Sequence, residues 1–249
     1  MLDTPATTPL LRSLGNFRDL GGLPTLQGGR TRTNRLYRSP RLSGLSETDL
    51  RFLDACGIAA IVDFRGQDEA QSAPIAVSPS LLQRRVGLAI EPQAGRRIRE
   101  AELVGEVGFE TVRAIMIDGY RAYVAEHAPI YAQFVRLVAE ADGPVVFHCS
   151  AGKDRTGFGA ALLLAAAGVT PEAIAGDFLR SNRDWQPPED LGGKVPERYR
   201  KALLGVDIAY LDAAFEVLDH QHGGAVRFAR EALGGRAAFE RFQHKLTES

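Results

Sequence analysis

The 249-residue chain, 45% apolar and 24% charged, is long enough to bury one sizeable core. No Ser/Gly/Pro-rich linker divides it, so one domain over residues 1–249 is expected. A formal net charge of −1 excludes a general nucleic-acid binder and leaves any anion recognition to a local site. The two cysteines, Cys56 and Cys149, exclude a disulfide framework, and a reducing compartment, the cytoplasm, is the simpler reading.

Taken in chain order, Met1 to Arg12 lacks the basic and apolar regions of a secretory signal. Residues 1–14 read as a frayed leader, and signal-independent export stays open. Asn16 to Gly22 ends in Gly-Gly, a place for tight backbone turns. Here Arg18 and Asp19 either reach a phosphate site or pin a turn as a pair. Arg35 to Arg38 reads as a strand, and Ser46 as the N-cap of a helix through Cys56, a packed thiol. Ile58 to Phe64 is a buried-strand candidate. Asp63 and Arg65 stand at its C-terminal end, where sites gather in open α/β sheets, as substrate contacts or as a salt bridge holding the turn. After a strand near Arg84–Ile90, the charged, Gly-punctuated stretch 91–108 is either a lid insertion or a solvated helix.

Phe109, Val112, Ile115, Met116, Tyr120 and Tyr123 recur at helical spacing, and a second helix follows Pro129. Asp118 falls on the exposed face of the first. Thr170-Pro171-Glu172 starts a helix that should run to about Ser181. Residues 183–196 form a loop, and 197–249 are a helical C-terminal part. The longest apolar run, Phe158 to Val169, is too short to span a bilayer. His220 and His222 have the wrong spacing for one helical face and lack a third ligand, so no metal and no cofactor are expected.

The chemistry concentrates in Val145 to Gly157. A short apolar strand, introduced by Gly143-Pro144, ends at Cys149, and a turn of small residues then opens into a helix. Five residues lie between Cys149 and Arg155. A turn of that length can curl the amides of Ser150, Ala151 and Gly152 toward one point at a helix N-terminus, where an anion is attracted. A thiol in such surroundings falls to roughly pKa 3.5–7.5 and is expected to be ionised. Arg155 supplies a planar fork for two phosphate oxygens. Donors that neutralise those oxygens permit in-line attack and a phosphocysteine intermediate. Thr156 can hydrogen-bond the departing thiolate, and His148 is read as a structural hydrogen-bonder near the site. A nucleotide-binding P-loop does not fit, because Lys153 is followed by Asp154 instead of Ser or Thr. A rhodanese-like sulfurtransferase and a non-catalytic phosphate-binding module are the alternatives.

The run His148-Cys149-x5-Arg155-Thr156-Gly157 resembles the signature of the cysteine-dependent phosphatases. Its fuller spelling, HCSAGKDRTG, is similar to that of the bacterial tyrosine/lipid (dual- or triple-specificity) phosphatase family. Asn16-Phe17-Arg18-Asp19-Leu20-Gly21-Gly22, Leu36-Tyr37-Arg38-Ser39, Val62-Asp63-Phe64-Arg65 and Asp177-Phe178-Leu179-Arg180-Ser181-Asn182 agree with that family. The resemblance implies a protein-tyrosine-phosphatase-like α/β fold, with a mainly parallel central sheet flanked by helices. It also implies a phosphorylated protein or phosphoinositide as substrate and Asp154 as general acid, with Asp63 in reserve. Lys153 adds a second cation to the loop, which suits a polyanionic headgroup; the alternative is that it pairs with Asp154.

Overall fold

The computed structural model describes residues 11 and 13–248. Its central sheet has five strands in the order Arg18–Asp19, Leu36–Ser39, Val145–His148, Ala60–Asp63, Arg85–Gly87. The first pair is antiparallel and the other three pairs are parallel. The mainly parallel α/β architecture expected from the sequence is therefore present.

Register explains why the strands are apolar on both faces. Leu36, Val145 and Ala60 are cross-strand neighbours, as are Tyr37, Val146 and Ile61 one residue later. Alternation along a strand sends these two rows to opposite faces. The first row belongs to the larger core, with Phe134, Phe147 and Phe158. The second packs with Leu53, Ile58 and Leu81. Both faces are covered, as a parallel sheet requires. This two-sided burial holds the central strand Val145–His148 rigid just before the signature turn.

Helix Glu47–Ala55 is capped by Ser46, whose Oγ accepts from the Asp49 amide at 3.2 Å. Helices Phe109–Ala125 and Ala128–Glu140 bury the faces that their periodicity marks. Helix Arg155–Ala166 is buried on nearly every side. Helix Pro171–Asp184 runs one turn beyond the expected end, and a short helix Glu189–Gly192 interrupts the expected loop. No helix among the described residues is long and apolar enough to cross a membrane.

One sequence expectation changes here. Most of the leader lies outside the described residues, but Leu11 and Leu14 are buried in the second core, so its end is packed and not frayed. Within 91–108 the chain forms helix Ala94–Val104, which buries Ile98 and ties Arg97 to Asp118 at 2.9 Å. Asp118 is half-buried and also pairs with Arg121.

Candidate active site

The signature turn leaves the C-terminal end of the central strand. Its carbonyls point outward, into the protein. Asn16 Nδ2 donates to the oxygens of Ala151 and Gly152, each at 3.1 Å, and Arg38 donates to Gly152 at 2.6 Å. The Arg41 amide donates to the Ser150 oxygen at 3.1 Å. With its carbonyls held from behind, the turn presents the opposite groups, the N–H donors of Ser150 to Asp154, which make no hydrogen bond among the described residues. The helix macrodipole starting at Arg155 adds to the same field. Gly152 has φ +67° and its α-carbon lies against the Ser39 backbone, so a side chain fits there neither sterically nor conformationally.

Cys149 is buried and sits in a cleft of about 730 Å³ that Ser150, Lys153, Asp154 and Arg155 also line. Arg155 is clamped from one edge. Glu69 accepts from both of its terminal nitrogens, at 2.5 and 2.9 Å, and the Ile90 carbonyl accepts at 2.9 Å. Burial opposes the Arg155 charge, yet the Glu69 hydrogen bond and the nearby thiol raise its pKa, so it is permanently cationic. A guanidinium has five N–H donors in a fixed plane, so holding one edge aims the other. Glu69 also accepts from Ser150 Oγ at 2.6 Å. Burial would raise its pKa, but Arg155 outweighs this and keeps the carboxylate ionised.

Three residues expected to bind substrate lie elsewhere. Arg18 is buried and donates to Asp177 Oδ1 at 2.6 Å, behind the turn. Asp19 separately pins a turn through the amides of Gly21 and Asn34. Asp63 and Arg65 are buried and paired at 2.8 Å, with Arg85 also on Asp63 at 2.9 Å. Burial pushes the Asp63 carboxyl up, but its hydrogen bonds to Arg65 and the facing His148 hold it far below the usual range. A carboxylate so held is a structural anion, which removes it as reserve acid.

Lys153 is likewise engaged within the protein. Its ammonium bonds the carbonyls of Leu203 and Gly205 at 2.9 and 3.0 Å, lies 3.2 Å from Asp154 and stands 5.6 Å over the Trp185 ring. An ammonium has three donors, and these partners take them. The pairing with Asp154 is thus the reading that the geometry matches. Asp154 lines the cleft and accepts from Tyr120 at 3.0 Å. Thr156 Oγ1 is fully buried and has no hydrogen-bond partner.

His148 is fully buried beneath the turn, with Nδ1 3.1 Å from the Cys149 oxygen. A carbonyl only accepts, so the proton belongs on Nδ1, while Nε2 has no partner. Burial, against the pull of Asp63, lowers its pKa from 6.5 to about 4. The unfolded chain therefore binds this proton first as pH falls. The stabilisation is present above pH 6.5 and is lost by about pH 4, a change of up to roughly 3 kcal/mol. Urea unfolding at stepped pH is expected to show this loss, and His148→Gln to flatten it.

Sequence reasoning gave no role to Glu69, Asn16, Arg38, Asp177 or Tyr120. Two of them carry a readable signal. Arg38 is a charge inside a buried strand, and Asp177 shares the apolar face of its helix with Ile174, Phe178 and Ser181. Each required a counter-charge, and they are one another's, at 2.6 Å.

A family profile described as the tyrosine phosphatase family matches residues 9–248. The triple specificity protein phosphatase PtpB of Mycobacterium tuberculosis is 29% identical over 270 aligned positions, covering 93% of this chain and 96% of that protein. A Cupriavidus necator protein assigned to the tyrosine-protein phosphatases is 32% identical over 234, covering 89% of this chain and 82% of its own. Among solved structures, P. aeruginosa TpbA is a distant likeness, with a TM-score of 0.35 and 18% identity over 75% of this chain and 89% of that one. With the profile spanning nearly its whole length, the chain belongs to the tyrosine phosphatase family.

Proposed function

We propose that the protein hydrolyses phosphomonoesters through a phosphocysteine at Cys149. The observation that carries this is the turn itself, with carbonyls tied outward and amides left around one cysteine and one oriented arginine. The Cys149 thiolate attacks phosphorus in line, forming S–P as the ester P–O bond breaks. Equatorial oxygens are neutralised by the turn amides and the unclamped edge of Arg155. Asp154, the only cleft carboxyl within the turn, gives its proton to the leaving oxygen. It then takes a proton from the water that attacks phosphorus, and the S–P bonding pair returns to sulfur. Thr156 supplies a hydroxyl to stabilise that thiolate. No step calls for a metal or cofactor.

Substrate choice follows from the walls. Aromatic and aliphatic side chains, among them Tyr120, Tyr123, Trp185 and Leu203, line the cleft and suit a phenyl leaving group. With Lys153 engaged, a second anionic group would meet Arg41. That residue is exposed, lines the cleft, and makes no side-chain hydrogen bond or ion pair among the described residues.

Phosphate release from a phosphotyrosine peptide and a soluble phosphoinositide, both with EDTA, tests this. Both reactions are expected to continue in the chelator. In Arg41→Ala the phosphoinositide KM should rise about threefold, the scale of an exposed ion pair, with the peptide little changed. No phosphate from either substrate, or thiocyanate from thiosulfate and cyanide, would replace this reading with a binding module or a sulfurtransferase.

A further inference from the structure

Tyr120 lies on helix Phe109–Ala125, packed among Tyr123, Phe178 and Tyr210 and without solvent exposure. Its hydroxyl donates to Asp154 Oδ1 at 3.0 Å. Three rings and a helix fix the donor, whereas Asp154 stands at the helix N-cap position and makes no capping hydrogen bond that would orient it. Among the described residues the only other polar contact of that carboxylate is Lys153, at 3.3 Å from Oδ1 and 3.2 Å from Oδ2.

Building on the phosphatase reading, we propose that Tyr120 is a positioning residue for the acid step, fixing which oxygen of Asp154 carries the transferable proton. A phenol has one proton to donate. If the carboxyl proton sat on Oδ1 it would point at the Tyr120 oxygen, and the phenolic hydrogen would be left without an acceptor inside the protein. An unsatisfied buried donor is costly. The proton is therefore confined to Oδ2, leaving that oxygen to serve the leaving group and later the attacking water. The phenol cannot reverse its role by ionising, because burial and then the Asp154 charge raise its pKa well above the ordinary value. The charges around the pair are Lys153 and Arg155 from the turn and Arg38 from the neighbouring strand, with Tyr123 a further phenol on the same helix.

The test uses the whole chain and two substrates. Phenyl phosphate has a strongly basic leaving group that needs protonation, while p-nitrophenyl phosphate does not. Tyr120→Phe removes one atom and keeps the ring packing. Its kcat on phenyl phosphate is expected to fall about tenfold, corresponding to roughly 1.4 kcal/mol, with KM unchanged and a much smaller loss on p-nitrophenyl phosphate. In the Asp154→Asn background the same change should add nothing. Equal losses on both substrates, or a double variant well below Asp154→Asn alone, would reduce Tyr120 to a packing residue. If Asp154→Asn spares phenyl phosphate, the proposal falls with the choice of acid. The phosphatase reading is judged separately, by whether wild type releases phosphate from p-nitrophenyl phosphate and Cys149→Ser does not.

Discussion

Cys149→Ser is expected to lose phosphate release by a factor on the order of 10⁴ or more, the scale seen when a covalent nucleophile is removed. The two side chains are nearly isosteric, so the turn, its outward ties and the Glu69–Arg155 clamp remain. The loss is one of ionisation. The attacking species is the anion, which a thiol yields far more readily than an alcohol, and an alcohol needs an adjacent base. His148 cannot serve as that base: Nδ1 faces the Cys149 carbonyl and the ring is sealed beneath the turn. Binding of vanadate or phosphate, measured by calorimetry, should survive in the serine variant. Residual turnover above about a hundredth of wild type would place the nucleophile elsewhere.

Asp177→Ala carries the largest expected cost in stability. Asp177 is the shared counter-charge of Arg18 and Arg38, each at 2.6 Å, and all three are buried. Removing it leaves two guanidiniums facing one another without an anion, and breaking a buried pair costs about 3–5 kcal/mol. That is a large part of the roughly 5–15 kcal/mol that holds a domain together. The urea midpoint should drop sharply with little change in slope. Activity should fall further than the unfolded fraction explains, because Arg38 also holds the Gly152 carbonyl. Asp177→Asn, which keeps acceptors but loses charge, should lie between. The pH dependence has a definite sign. Burial works against the charge, but Arg18 and Arg38 lower the Asp177 pKa from 3.8 to about 2. Its contribution is then present above pH 3.8 and lost as pH falls through about 2. Wild type should therefore lose stability in that window, and Asp177→Asn should not show this component.

Much of this architecture is legible in the sequence where the cause is local. Strand, turn and helix around Cys149 follow from a short apolar run, small residues and a helix start within a dozen positions. The Ser46 cap and the amphipathic helix from Phe109 are local in the same way. What is not legible shares the opposite property. For Arg18 the sequence leaves a phosphate site and a turn open, and the partner it takes lies 159 residues away. For Lys153 it leaves a polyanion and Asp154 open, and the carbonyls that also bind it lie 50 and 52 residues on. Nothing in the neighbourhood of Glu69 says that Arg155 will arrive opposite it. Asp63 and Arg65, two positions apart, are the local case: the salt bridge that their spacing allows is what forms.

The outward ties of the signature turn also set an order of events during synthesis. Asn16, Arg38 and Arg41 leave the ribosome before the turn they brace, but Asp177, which fixes Arg38, follows it. Until that segment is available, Arg38, which holds the Gly152 carbonyl, and Arg18, which holds Asn16, both lack their counter-charge. The cradle around the sulfur is thus a property of the completed chain, and the half-made protein carries the cysteine without the braces that shape its turn.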